Sequence, residues 1–197
     1  MYVLGIVGSM RKAGNTNRLV AAVLAAAKET NPRIRTEVVH LADLDIGPCE
    51  ACYDVCGEVP YRCVVEDDFP ELLQTLNEAD GLVLGSPLYY PVPSRLIAVT
   101  ERLACLAYFH DMRRRTEPHL LEGKPCALVA VTGGSEPLEV LRYLFGFALS
   151  ARMTPLTVKR YPYYGAGGKG DLDEDTDLQP FETAKVLGRL LAEAVAR

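Results

Sequence analysis

The sequence predicts an α/β fold, a three-layer sandwich built on a five-stranded parallel sheet in the order 2-1-3-4-5. Three observations carry that prediction. Continuous apolar runs at Tyr2 to Val7, Gly81 to Leu84 and Ala127 to Val131 are each closed by Gly, Ser, Pro or Thr. That is how strands buried on both faces read. Helix-like segments alternate with them, and strands alternating with helices form βαβ units with right-handed crossovers and helices on both faces. Finally, 197 residues at 49% hydrophobic suit one well-buried domain spanning 1–197 and are short for two.

Each element has its own signal. Tyr2 to Val7 is the first strand, and the helical stretch Asn17 to Thr30 follows a small polar turn. The alternating run Ile34 to Leu41 reads as an edge strand. A cysteine-rich insertion occupies residues 47–66, and a helix over Pro70 to Glu78 leads into the strand at Gly81 to Leu84. Ser94 to Phe109 is helical, Ala127 to Val131 is the fourth strand, and Pro137 to Ala151 is helical again. Met153 to Tyr161 is the fifth strand candidate, and Pro180 to Ala196 closes the chain as a helix. Sheets of this kind bind ligands outside the carboxyl ends of the strands, at the switch point beside strand 1.

Composition excludes several partners. A net charge of −5 gives no electrostatic footprint for nucleic acid. No run approaches about 18 apolar residues, and the first strand has no basic region, apolar core or cleavage site before it. The expectation is a cytoplasmic protein without a membrane partner. In a reducing compartment, six cysteines read as thiols or metal ligands rather than disulfides.

Three loops fall at one rim of this sheet. Gly8-Ser9-Met10-Arg11-Lys12-Ala13-Gly14-Asn15-Thr16 joins the first strand to a helix start. Unsatisfied N–H groups there, with small residues and hydroxyls, make a phosphate cradle. It is neither G-x-G-x-x-G nor G-x-x-x-x-G-K-[ST], so a monophosphate fits better than a dinucleotide or a Walker loop. Ser9, Asn15, Thr16 and Asn17 are its short polar donors and Arg11 its cation. The second loop, Gly85 to Ser94, is stiffened by prolines and offers the flat faces of Tyr89 and Tyr90. The third, Thr132-Gly133-Gly134-Ser135, lets backbone N–H groups approach a ring edge. A phosphate on one loop and a planar ring between the other two describe a mononucleotide, FMN above all.

These motifs, Gly8-Ser9-x-Arg11-x-x-Gly14-Asn15-Thr16, Gly85-Ser86-Pro87-x-Tyr89 and Thr132-Gly133-Gly134, resemble the NADPH-dependent FMN reductase family of flavodoxin-like proteins. The likeness spans nearly the whole chain. It implies that Ser9, Arg11, Asn15, Thr16 and Asn17 hold the FMN phosphate. By the same likeness Pro87, Leu88 and Tyr89 lie along the isoalloxazine, and Thr132, Gly133 and Gly134 contact its far edge. Arg102 stands where the family commonly has an Asp-Arg pair, here preceded by Glu101.

Four of the six cysteines, Cys49, Cys52, Cys56 and Cys63, fall within fifteen residues as C-x2-C-x3-C-x6-C, followed by Glu66-Asp67-Asp68. Four thiolates at that density serve a [4Fe–4S] cluster or a tetrahedral zinc, and a metal-free loop of thiols is the third reading. The segment resembles the compact cysteine motif of the iron-sulfur flavoproteins, a branch of the same family in which a [4Fe–4S] cluster lies next to FMN. Its second gap holds three residues where that motif has two. Cys105 and Cys126 read as core. His40, His110 and His119 form no hydrolytic arrangement and receive no role. Arg113-Arg114-Arg115 reads as a solvated face, or as a receiver for a nucleotide phosphate or an acidic partner. The glycine-rich stretch Tyr161 to Asp171 is a flexible connection or a flap over the flavin.

The implied function is an FMN-dependent oxidoreductase, taking hydride from NAD(P)H or electrons from a protein donor. Its acceptor would be a quinone, free flavin or oxygen, with single electrons passing through a cluster if the thiols hold one. The alternative is a non-catalytic carrier partnered with ferredoxin-like proteins. Relatives of this type imply a homodimer or homotetramer.

Overall fold

The computed structural model describes residues 1–113 and 116–197. Strands β1 (Tyr2–Val7), β2 (Arg35–His40), β3 (Gly81–Pro87), β4 (Pro125–Thr132), β5 (Thr154–Pro155) and β6 (Ala166–Lys169) form one parallel sheet. Its order is β2-β1-β3-β4-β5, with β6 also paired to β4. The helices are α1 (Asn15–Thr30), α2 (Asp54–Glu58), α3 (Phe69–Glu78), α4 (Ser94–Met112), α5 (Leu138–Ser150) and α6 (Leu178–Ala194). This is the flavodoxin-like α/β architecture.

Side-chain alternation in the central strands divides the core in two. Val3, Val7, Val83 and Val129 face α1 and α6, meeting Leu19, Val20, Val23, Phe181, Leu187 and Leu191. Leu4, Ile6, Leu82, Leu84 and Leu128 face α3, α4 and α5. The first side is tightly spaced. A Cβ on Gly85 would lie 2.4 Å from Val20 Cγ2, and one on Gly188 of α6 would lie 2.3 Å from the Val23 carbonyl oxygen of α1. These absent side chains let α1 lie against the sheet with its N-terminus at the carboxyl ends of β1 and β3.

The fifth strand differs from its expected position. Only Thr154–Pro155 of the Met153 to Tyr161 run pairs with β4, at Pro125 and Cys126. The chain then leaves the sheet and returns as β6, which pairs with Val129 to Thr132. The glycine-rich stretch read as a connection or flap therefore supplies a strand. Glycine is required there by space: a Cβ on Gly165 would lie 2.2 Å from the Leu128 carbonyl oxygen, and one on Gly167 2.5 Å from Pro137 Cγ. A four-residue strand whose one apolar side chain is Ala166 has no hydrophobic period to read. Elsewhere the bounds shift by a few residues; α1 begins at Asn15, so Asn15 and Thr16 stand in the helix's first turn.

Gly188→Ala is expected to cost about 2 kcal/mol, because its methyl meets backbone of α1 that has nowhere to move. The urea midpoint should fall with an unchanged slope.

Candidate functional site

A cleft of about 300 Å³ opens at the carboxyl ends of β1, β3 and β4, lined by Ser9, Arg11, Asn15, Thr16, Pro87, Leu88, Tyr89, Thr132 and Gly133, with Gly170 and Asp171. That volume is at the lower end of the range for small-molecule sites. Gly8 N–H donates to the Gly85 carbonyl at 2.8 Å and Leu88 N–H to the Val131 carbonyl at 2.7 Å, fixing the first loop to the second and the second to β4. Arg11 N–H donates to Ser9 Oγ at 3.1 Å, which closes the first turn on itself. The residue preceding α1, Gly14, has extended backbone and no side chain caps the helix, so the N–H groups of its first turn are without intrahelical partners. Ser9 and Thr16 are buried at the base of this turn.

Of the eleven residues that the sequence reading assigned to this site, Asn17 and Gly134 do not line the cleft. Four residues outside that set do: Gly14 and Val131, each adjoining an assigned residue, and Gly170 and Asp171. Asn15 Nδ2 donates to the Gly170 carbonyl at 2.8 Å, and Gly170 N–H donates to the Thr132 carbonyl at 2.8 Å. Gly170 and Asp171 thus form a fourth wall directly after β6. Gly170 has φ +65°, a conformation that favours glycine. Glu136 accepts from Tyr161 Oη at 2.9 Å and from Lys169 Nζ, which ties the glycine-rich stretch to the third loop.

A second cavity is lined by Cys49, Cys52, Cys56 and Cys63, and also by Cys105 and Arg102 of α4. Cys105, read as a core residue from sequence, faces this cavity with its thiol against those of Cys49 and Cys56. The signal that could have found it is its place three residues after Arg102, on the same face of α4. Cys126 lies in the core, where burial pushes its pKa to about 12. Burial likewise pushes the Cys56 and Cys105 thiols up.

The cysteine segment is held by α4 and by the acidic residues that follow it. Arg102 is 1% exposed. Its Nη1 donates to Asp67 Oδ2 at 2.5 Å and to the Gly47 carbonyl at 3.2 Å, and its guanidinium stacks 4.0 Å from the Phe69 ring centroid. Asp67 also accepts from Gly47 N–H at 2.9 Å and Phe69 N–H at 3.1 Å. Burial pushes the Asp67 carboxyl up, but Arg102 and these two N–H groups outweigh it and hold the pKa below its ordinary value. Glu101 accepts from Cys49 N–H at 2.6 Å, so the acid before Arg102 pins the first cysteine. Arg102 Nε and Nη2 are buried without a hydrogen-bond partner, and burial opposes the charge, while Asp67 and then Cys63 favour it. Half of a buried guanidinium thus waits for an anion at the wall of a thiol-lined cavity. A set of metal-bound thiolates fits that requirement, because coordination deprotonates thiols, that of Cys56 included, which burial pushes up.

Comparison with known proteins bears on both cavities. The model of the family described as NADPH-dependent FMN reductase matches residues 1–160. The chain belongs to the NADPH-dependent FMN reductase family. Among this family member's relatives is an iron-sulfur flavoprotein of Methanocaldococcus jannaschii, 32% identical over 198 aligned positions covering 99% of this chain and 97% of that one. An iron-sulfur flavoprotein of Archaeoglobus fulgidus is 28% identical over 98% of this chain and 80% of its own. Among solved structures, RosB with a bound 8-demethyl-8-formylriboflavin-5'-phosphate intermediate superposes with a TM-score of 0.71 at 18% identity, covering 100% of this chain and 79% of that chain. A flavodoxin from the domain Archaea superposes with a TM-score of 0.59 at 17% identity, covering both chains fully. These two superpositions bear on the fold of this family member alone. Among its described residues no helix is long and apolar enough to cross a membrane. Of the arginine run in this family member, Arg113 is exposed at the end of α4, and Arg114 and Arg115 lie outside the described residues.

Asp67→Asn should destabilise the protein by about 3 kcal/mol at neutral pH, because it leaves the Arg102 charge buried with too few partners. Asp67 titrates below its ordinary value, so its contribution is complete at neutral pH and is lost as pH falls below about 4. Urea unfolding at pH 7 and pH 3 should therefore show the gap between wild type and variant narrowing in acid.

Proposed function

We propose that this family member is an FMN-dependent oxidoreductase that takes electrons from NAD(P)H or a ferredoxin-type donor and passes them to a small acceptor such as a quinone, free flavin or oxygen. The observation that carries this reading is the uncapped N-terminus of α1 beside buried Ser9 and Thr16, at the base of a cleft whose other walls are Leu88, Tyr89, Thr132 and Gly133. In this reading Ser9, Arg11, Asn15 and Thr16 supply donors to the phosphate, and Asn17 contributes through the backbone of the helix's first turn, whose terminus adds its partial positive charge. Pro87, Leu88 and Tyr89 provide a stiff wall for the isoalloxazine. Gly133 and Gly134 have open space where a Cβ would stand, so a ring edge can approach their backbone N–H groups beside Thr132. Bound FMN supplies both hydride and single-electron chemistry. The donors at the ring edge would stabilise negative charge on it without any side chain acting as an acid.

Cys49, Cys52, Cys56 and Cys63 are in this reading the ligands of a [4Fe–4S] cluster, with Arg102 Nε and Nη2 donating toward its thiolates. The unpartnered guanidinium nitrogens support the cluster over a loop of neutral thiols, and the likeness to proteins named iron-sulfur flavoprotein supports it over zinc. Tyr89 and Tyr90, at and beside the cleft, are 52% and 98% exposed. Aromatic surface of that kind suits a subunit interface, and a homodimer or homotetramer follows as the working assembly.

Thr16→Ala should weaken FMN binding about tenfold, the equivalent of one lost hydrogen bond to a charged group. Riboflavin, which lacks the phosphate, should bind wild type and variant alike in fluorescence titrations. Anaerobically purified protein should carry about four iron and four sulfide per chain, lost on Cys56→Ala and retained on Cys105→Ala. Rapid NAD(P)H oxidation with a small acceptor is the expected activity. Inertness to both nicotinamides with fast reduction by ferredoxin would instead identify an electron carrier.

A further inference from the structure

The C-terminal end of α4 and the chain leading into β4 bring together three side chains that neither cavity uses. His110, Asp111 and His119 each offer a donor atom, and these atoms lie within 4.8 Å of one another. The two imidazoles are buried, with 4% and 8% exposure, and their ring centroids are 4.1 Å apart. His119 Nε2 lies 2.9 Å from Asp111 Oδ1. Neither ring nitrogen of His110 has a hydrogen-bond partner, and Nδ1 of His119 has none.

Buried polar atoms without partners are rare in folded proteins, and three on two touching rings form a concentrated exception. Tyr61 closes one side: its ring lies 5.5 Å from that of His110, and its hydroxyl accepts from Leu120 N–H at 3.0 Å. The Asp111 side is open to solvent, its side chain 52% exposed. Two imidazoles and a carboxylate around one point, with the remaining side open to water, form a donor set suited to a first-row divalent cation.

We infer that His110, Asp111 and His119 form a divalent-metal site, best suited to zinc, that fastens the end of α4 to the segment entering β4. Arg152 is its competitor. Its Nη2 donates to both Asp111 oxygens at 2.9 and 3.0 Å, so the guanidinium holds the carboxylate when no metal does. At 46% exposure this side chain can swing into solvent when a dication replaces it. The donors are nitrogen and oxygen, which separates this site chemically from the thiol cavity.

Equilibrium dialysis of the purified flavoprotein against zinc chloride, followed by elemental analysis, tests the site. Asp111→Asn and His119→Ala should each bind one zinc fewer per chain than wild type. Arg152→Gln should keep that zinc and hold it at least threefold more tightly, since the competing cation is gone. A Cys49→Ala/Cys52→Ala double variant should also keep it, whatever happens to metal in the thiol cavity. Asp111→Asn and Arg152→Gln both break the Asp111–Arg152 ion pair, so loss of the ion in Arg152→Gln as well would trace the effect to that pair and overturn the proposal. Equal zinc content in wild type, Asp111→Asn and His119→Ala would overturn it too. Should His119→Ala fail to fold, Asp111→Asn, at an exposed position, decides alone.

Discussion

The buried pair of Arg102 and Asp67 is the constraint on which the less regular half of the molecule depends. A guanidinium that is 1% exposed is stable only where its charge is matched. Asp67 matches it, and the same carboxylate takes the N–H groups of Gly47 and Phe69, so one side chain fixes both the entry to the cysteine segment and the start of α3. Glu101 and Arg95 extend the arrangement along α4, to Cys49 N–H and to the Leu41 and Ala42 carbonyls. A segment with little secondary structure is thereby held through its backbone by side chains of one helix. The partners not supplied to Nε and Nη2 leave that helix asking for negative charge on the side where the cysteines gather.

The regular half depends instead on close approach. Gly85 and Gly188 bring α1 against the sheet and α6 against α1. The N-terminus of α1 therefore stands level with the strand ends from which the second and third loops depart. The cleft follows from backbone proximity more than from any polar side chain, and its walls are linked by backbone hydrogen bonds at Gly8, Leu88 and Gly170.

Much of this was legible in the sequence, for reasons that particular residues make plain. Tyr2 to Val7 and Gly81 to Leu84 are buried on both faces, and such strands have few alternatives. Gly133 lies immediately beyond β4 and Thr16 in the first turn of the helix that follows β1, so locating the strands and that helix located them. Gly170 and Asp171 were not legible, because the strand that delivers them is four residues long, half of them glycine, and its partner is fixed by packing on Leu128 and Pro137. Cys105 was hidden for a different reason. On a helix that is apolar over most of its length, a cysteine at 105 looks like any other small buried residue until the segment opposite is known. His110 and His119, nine positions apart in sequence, meet although one lies on α4 and the other beyond its end, a pairing no helical period signals.

That apolar character of α4 has a structural consequence. A helix that is hydrophobic on most sides must be covered on most sides, and α4 lies on the sheet through Leu96, Val99, Leu103 and Leu106. Arg102 and Cys105 border the thiol cavity, and Phe109, which touches Tyr53 at 5.6 Å, packs beyond them. The cysteine segment is therefore a cover for the outer face of α4. Its margins are pinned by Glu101, Arg102 and Arg95, and its middle carries the short helix α2 with Cys56 buried against the core. In the proposed reading, a group bound by the four thiols would supply the central fastening. Loss of that group would free the middle of the cover while its margins stay attached, exposing Cys105 and the unpartnered nitrogens of Arg102 before the sheet itself is affected. In this fold the proposed electron-transfer group and the local stability of α4 are one requirement.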